Sequence, residues 1–157
     1  MRIVLVVVAL ASALAGCTDD RAPRATVQPT SSVVFQTDAG TAIIRVDLAE
    51  TGSEHRRGLQ GVTDLPAGQG MAFVFAEPTT TTFWMKDTLL PLSIAFVGAE
   101  GRVIAIRDMD PCGSDPCPSY GAGGPFVLAI EANQGWFDDA GVEVGDRARL
   151  RGEITDG

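Results

Sequence analysis

The chain has 157 residues and a formal net charge of −8, from 12 Lys and Arg against 20 Asp and Glu. An acidic chain with no basic run is poorly suited to nucleic acid or to anionic membrane surfaces. Its length provides for one domain with a sizeable core, and past the first residues no apolar stretch approaches the length of a spanning helix.

Met1-Arg2 precede an apolar run from Ile3 to Leu10, which continues through small residues to Leu14-Ala15-Gly16-Cys17. A charged start, an apolar centre and a small-residue cleavage site make a secretory signal peptide over residues 1–16. Leu-Ala-Gly-Cys also has the form of a bacterial lipobox, in which Cys17 is acylated and becomes the mature N-terminus. The alternative is an ordinary signal peptide with an incidental cysteine. The expectation is an exported lipoprotein held on the extracytoplasmic side of a membrane, in the periplasm or at the cell surface. Residues 17–32 are polar, carry Pro23 and Pro29 and lack periodicity. They read as a tether that would span roughly 20 Å as a flexible coil.

The folded part is expected over residues 33–157. Val33-Val34-Phe35-Gln36 and Thr41 to Leu48 flank Asp38-Ala39-Gly40, a hairpin signal. Ala42, Ile44, Val46 and Leu48 form one face while Thr41, Arg45 and Asp47 lie on the other, the alternation of a half-buried strand. Thr51-Gly52-Ser53-Glu54 fits a capping box that opens a short helix through Leu59. Strands are then expected at Met71 to Phe75, Thr79 to Met85, Ser93 to Val97 and Arg102 to Met109. A Gly/Pro-rich loop from Asp110 to Gly124 leads to a strand at Phe126 to Glu131. A short helix around Trp136, closed by Gly141, and a final strand at Arg147 to Arg151 complete the order. Many short strands with close turn signals predict a mainly β protein, an antiparallel sandwich or barrel with one or two short helices.

With Cys17 lipidated, Cys112 and Cys117 remain. Outside the cytoplasm such a pair is expected to form a disulfide, worth about 2 kcal/mol on the loop-entropy argument. Their spacing is not that of Cys-x-x-Cys redox motifs, and no second pair of metal ligands accompanies them.

Several segments together resemble the bacterial and archaeal family known as domain of unknown function 192. They are Glu54 to Leu59, Gly70-Met71-Ala72-Phe73-Val74-Phe75, Phe83-Trp84-Met85-Lys86-Asp87-Thr88, Pro91-Leu92-Ser93-Ile94 and Val144-Gly145-Asp146. The resemblance covers about residues 40–151. It implies a compact β-rich fold of sandwich or jelly-roll character and no established activity. The chain departs from the family pattern at Gln60, Asp87 and Ser93, where Met, Asn and Asp are usual.

Lys86 is the sole lysine and lies beside Trp84 on one face of an expected strand, with Phe83 and Met85 on the other. A lysine against a large aromatic could hold an anionic ligand or, if desolvated, act as base or nucleophile. It could equally form a structural ion pair with Asp87, Glu54 or Glu77. Glu54 and Arg57 could pair along the helix, or Arg56-Arg57 could hold an anion. Tyr120, the sole tyrosine, stands in the disulfide loop as either a binding rim or a plug. The candidate ligand-binding set is therefore Lys86, Trp84, Asp87, Arg57, Glu54 and Tyr120.

Catalytic patterns fail one by one. His55 is the only histidine and stands between Glu54 and Arg56 on a helix expected to be exposed, and no Gly-x-Ser-x-Gly elbow occurs. Asp108-Met109-Asp110 opens like a calcium loop, but Cys112 and Ser119 stand at its fifth and twelfth positions. Met71, Met85 and Met109 read as core rather than copper ligands. No cofactor and no metal is expected. The reading is a lipid-anchored, non-catalytic binding or accessory module, its partner a small anionic ligand or an envelope protein or polymer. The alternative is an envelope hydrolase using Lys86 and Asp87 as acid/base groups.

Overall fold

The computed structural model describes residues 29–152. The signal peptide, Cys17 and most of the tether lie outside the described residues. Nine strands and two short helices follow in the order β1 (Ser31–Thr37), β2 (Gly40–Ala49), α1 (Gly52–Arg57), β3 (Gln69–Thr79), β4 (Phe83–Trp84), β5 (Leu92–Val97), β6 (Val103–Met109), β7 (Ser119–Tyr120), β8 (Phe126–Asn133), α2 (Trp136–Asp139) and β9 (Arg147–Arg151).

Seven strands form one sheet in the order β6-β5-β8-β3-β2-β1-β9. The chain is mainly β, with the β1–β2 hairpin closing at Thr37 opposite Gly40. β2 and β3 run parallel, the exception among otherwise antiparallel neighbours. Parallel pairing needs a crossover, and here α1 and the segment after it carry the chain back over one face of the sheet. The sheet curls into a half-barrel. At one end its two edge strands meet through a bridge between Arg102 and Arg147 and through Ala148 N–H donating to Gly101 O at 2.9 Å.

Both faces of the central strands are covered. On one face Val33, Phe35, Ile44, Val46, Ala72, Ala95 and Ile130 pack around Phe137 of α2. Phe35 and Phe137 meet edge-on with ring centroids 5.9 Å apart. On the other face Met71, Phe73, Leu92, Ile94, Phe96 and Met109 lie under Leu59, Val62, Leu65 and Met85. All residues of β5 are buried, which is why this strand carries an apolar run rather than an alternation.

The expected strand from Thr79 to Met85 is reduced to Phe83–Trp84, which pairs with Ser119–Tyr120 of the long loop. Cys112 and Cys117 are disulfide-bonded, with Cα atoms 5.8 Å apart. The loop they close is laced to the segment after β4, because Cys112 N–H donates to Met85 O and Asp87 N–H donates to Cys112 O, each at 3.2 Å.

Gly70 marks the tightest approach in the sheet. A Cβ there would lie 2.1 Å from the carbonyl oxygen of Glu131 on β8. Gly70→Ala is therefore expected to force β3 and β8 apart and to cost about 1–3 kcal/mol, the usual cost of overpacking. Urea unfolding of the two proteins measures this, and equal midpoints would show that the strands do not need the glycine.

Candidate functional site

A cleft of about 380 Å³ opens between α1, the distal part of β3, the threonine-rich segment before β4, and β8. Its position follows from how α1 starts and stops. Thr51 Oγ1 accepts from Glu54 N–H at 3.3 Å, and Glu54 Oε2 accepts from Glu50 and Thr51 N–H at 2.9 and 2.8 Å, the capping box expected from the sequence. Gly58 then ends the helix at φ 45°, a region that favours glycine, and a Cβ there would lie 3.3 Å from the Phe73 ring. This brings His55, Arg56 and Arg57 to the cleft, with Leu59 buried in the core beneath its edge.

The walls are aromatic. Between Val74 and Thr79 the β3–β8 ladder is broken, so Phe75 leaves the regular pairing. The His55 ring lies against Phe75 at 4.5 Å, and Phe75 meets Phe126 edge-on at 5.4 Å. Phe83 packs edge-on against Phe73 at 5.0 Å. Trp84, 53% exposed, extends the wall towards solvent. The hydroxyl-bearing residues Thr79, Thr81, Thr82 and Thr88 complete the lining.

Glu131 lies at the floor and is 5% exposed. On the flanking strands it stands opposite Met71 and Ile94, neither of which can satisfy a carboxyl group. Its carboxyl has no hydrogen-bond partner among the described residues but is not fully sealed from solvent, and the residue lines the cleft. Burial pushes its pKa up from 4.5 to about 8. At neutral pH the group is therefore a carboxylic acid that offers an O–H and a C=O to whatever enters.

Of the residues singled out in the sequence, Trp84 and Arg57 line this cleft. Glu54 is committed to capping α1, and the backbone amides of Glu50 and Thr51 hold its pKa down at about 2. Lys86 lies outside the lining and pairs with Asp115 at 3.0 Å. That partner belongs to the disulfide loop, not to Asp87, Glu54 or Glu77, because the loop folds back beside Lys86. Asp87 is exposed in a turn at φ 57°. Tyr120 is half-buried on β7, paired with Phe83 and packed on the core beneath. His55, expected on an exposed helix face, is instead half-buried, with Nε2 3.0 Å from Ala49 O. Among the described residues no group of three or more His, Cys, Asp or Glu side chains stands together as metal ligands would.

Comparison with known proteins adds a family and a fold. The model of domain of unknown function 192, described as "Uncharacterized ACR", matches residues 32–150. The chain belongs to this family. A protein of unknown function from Novosphingobium aromaticivorans is similar in structure, with a TM-score of 0.71 and 33% identity over 75% of this chain and 83% of the other. A Sinorhizobium meliloti protein described as a "putative transcription regulator" is similar at a TM-score of 0.70 and 29% identity, covering 79% of this chain and 96% of that one. No curated protein matches the chain.

The strings shared with the family now have physical reasons. Gly70 sits where a side chain would collide with the neighbouring strand, Gly58 takes a positive φ close against Phe73, and Met85 is buried under the sheet. Position 87 adopts a left-handed backbone that Asn and Asp tolerate better than most residues, so the change from Asn to Asp keeps the turn. Ser93, where Asp is usual, is buried and donates to Asp108 Oδ1 while accepting from Gly135 N–H at 2.9 Å. An acid there would face a second acid.

Glu131 makes stability fall with pH. The folded protein keeps a proton that the unfolded chain releases above 4.5, so its contribution is complete below 4.5 and is lost as pH rises to about 8. The slope from this one group is at most about 1.4 kcal/mol per pH unit. Glu54 acts in a separate window, its contribution being lost as pH falls from 4.5 towards 2. Glu131→Gln is expected to abolish the upper slope and to be more stable than the parent at pH 8 in urea melts. An unchanged slope would mean that Glu131 is ionised when folded.

Proposed function

We propose that the chain is a lipid-anchored, extracytoplasmic binding module whose cleft between α1, β3 and β8 takes a small ligand with an apolar body and an anionic group. The observation that carries this reading is Glu131, a buried carboxyl left without a partner and open to an aromatic-walled cleft. Apolar pockets with a few placed polar groups are the usual form of small-ligand sites. Arg56 and Arg57 lie exposed at the mouth and have no ion pair within 4.0 Å among the described residues, although Arg57 lies near enough to Glu54 to act on its charge. The two guanidinium groups support an anionic substituent on the ligand. The Leu14 to Cys17 string and the polar residues after it support anchoring through acylated Cys17.

A hydrolase built on Lys86 and Asp87 has less support, since Lys86 is ion-paired outside the cleft and Asp87 is in an exposed turn. Transcription regulation, the role named for the Sinorhizobium meliloti relative, is not adopted, because a net charge of −8 disfavours contact with DNA phosphates.

A thermal-shift screen of metabolites and cell-wall fragments on the full chain tests the cleft. A ligand of this site should raise the melting temperature of the parent and of Lys86→Ala, and raise that of Arg57→Ala much less. A screen without hits, or hits abolished by Lys86→Ala and not by Arg57→Ala, would place the function elsewhere. For the anchor, Cys17→Ser should move the protein out of the membrane fraction, and retention there would count against acylation.

A further inference from the structure

The chemistry of the ligand can be read from the groups in the cleft that lack partners, an inference that rests on the binding role just described. The charged or titratable residues lining the cleft with Glu131 are His55, Arg56 and Arg57, all from α1. None of them offsets the burial of Glu131, which alone sets its protonation, and its strand neighbours Met71 and Ile94 are apolar. His55 is already engaged, its Nε2 donating to Ala49 O and its ring resting on Phe75.

A neutral carboxyl presents one donor beside one acceptor in a single plane. A ligand carbonyl satisfies only the O–H, and an ammonium must first ionise an acid that has no other donor to stabilise it. An amide or lactam satisfies both halves at once, its C=O accepting from the carboxyl O–H and its N–H donating to the carboxyl C=O. The walls formed by Phe73, Phe75, Phe83 and Trp84 suit a flat ring. The burial gradient, from Glu131 at 5% exposure to exposed Arg56 and Arg57, orders the ligand's ends.

We propose that the cleft recognises a flat aromatic acid carrying an amide or lactam at the end remote from its acid group, with the amide paired to Glu131 and the acid group held by Arg56 and Arg57. A volume of about 380 Å³ accommodates a single ring with two such substituents.

The probe is 4-carbamoylbenzoate, titrated into the isotope-labelled full chain and followed by NMR. It should give saturable shifts at Phe75, Trp84 and Glu131. Loss of the ligand N–H in 4-acetylbenzoate should weaken binding about tenfold, the scale of one buried hydrogen bond. Masking the acid group as methyl 4-carbamoylbenzoate should weaken it similarly. Glu131→Leu should lose about tenfold, whereas Glu131→Gln, whose side-chain amide offers the same donor beside acceptor, should retain affinity to within about threefold. Binding to the parent should decline above pH 8 as Glu131 ionises, and binding to Glu131→Gln should not. Equal affinity for 4-acetylbenzoate, or tighter binding of 4-(aminomethyl)benzoate, would overturn the amide assignment and leave the cleft as a binding site. No saturable shift from any of these probes would also overturn it, while the thermal-shift screen decides separately whether the cleft binds anything.

Discussion

Strand β8 is hydrogen-bonded along both edges, to β3 and to β5, and both of its faces are covered. The rest of the molecule is arranged around that double constraint. Most side chains on β8 must be satisfied by what lies above or below them, because little of the strand reaches solvent. Phe126, Leu128, Ala129, Ile130 and Ala132 meet the condition by being apolar. Glu131 does not, and it sits where the covering layer opens into the cleft. Beside it, Gly70 lets β3 approach the backbone carbonyl of Glu131 more closely than any residue with a Cβ could. A cost of several kcal/mol for an unpaired buried charge is avoided by keeping the proton.

The cleft exists because the covering layer on that side is made of small pieces. α1 is a helix of 6 residues and β4 a strand of 2, and neither can span the sheet. Between them the threonine-rich stretch lines an opening over Phe73 and Phe75. On the opposite face α2 inserts Phe137 and closes the half-barrel instead. The disulfide loop supports this layer from outside, through the pairing of β4 with β7, the bond from Cys112 to Met85 and the Lys86–Asp115 ion pair. That ion pair is partly exposed and is worth little by itself. Its contribution is to orient the loop beside the segment that carries Trp84.

Much of this was legible in the sequence. The hairpin at Asp38-Ala39-Gly40, the capping box at Thr51 and Glu54, the disulfide pair and the mainly β architecture all rest on local signals, namely turn residues, cap residues and alternation. The parallel pairing of β2 with β3 was not legible, since a crossover of some twenty residues is compatible with several sheet orders. Lys86 drew attention by its rarity, but the partner that engages it is 29 residues away and was brought there by the fold of the disulfide loop. Glu131 had a signal that composition alone does not weigh. Phe126-Val127-Leu128-Ala129-Ile130-Glu131-Ala132 has no polar alternation, which marks a strand covered on both sides. A single acid in such a run has no solvent face to occupy.

The amino-acid sequence by itself determined the fold class, the cap that starts α1, the covalent staple between Cys112 and Cys117 and the family. Each of these depends on residues close together in the chain or on a string of them. Only the tertiary structure decided which polar groups are spent and which are free. Glu54 and Lys86, equally conspicuous as letters, are consumed by backbone amides and by Asp115. Glu131 is left open at the floor of a cleft built from four separate segments. Whether a carboxyl is a cap, an ion pair or a site depends on its dielectric surroundings and on the donors in reach, and both are set by residues distant in sequence.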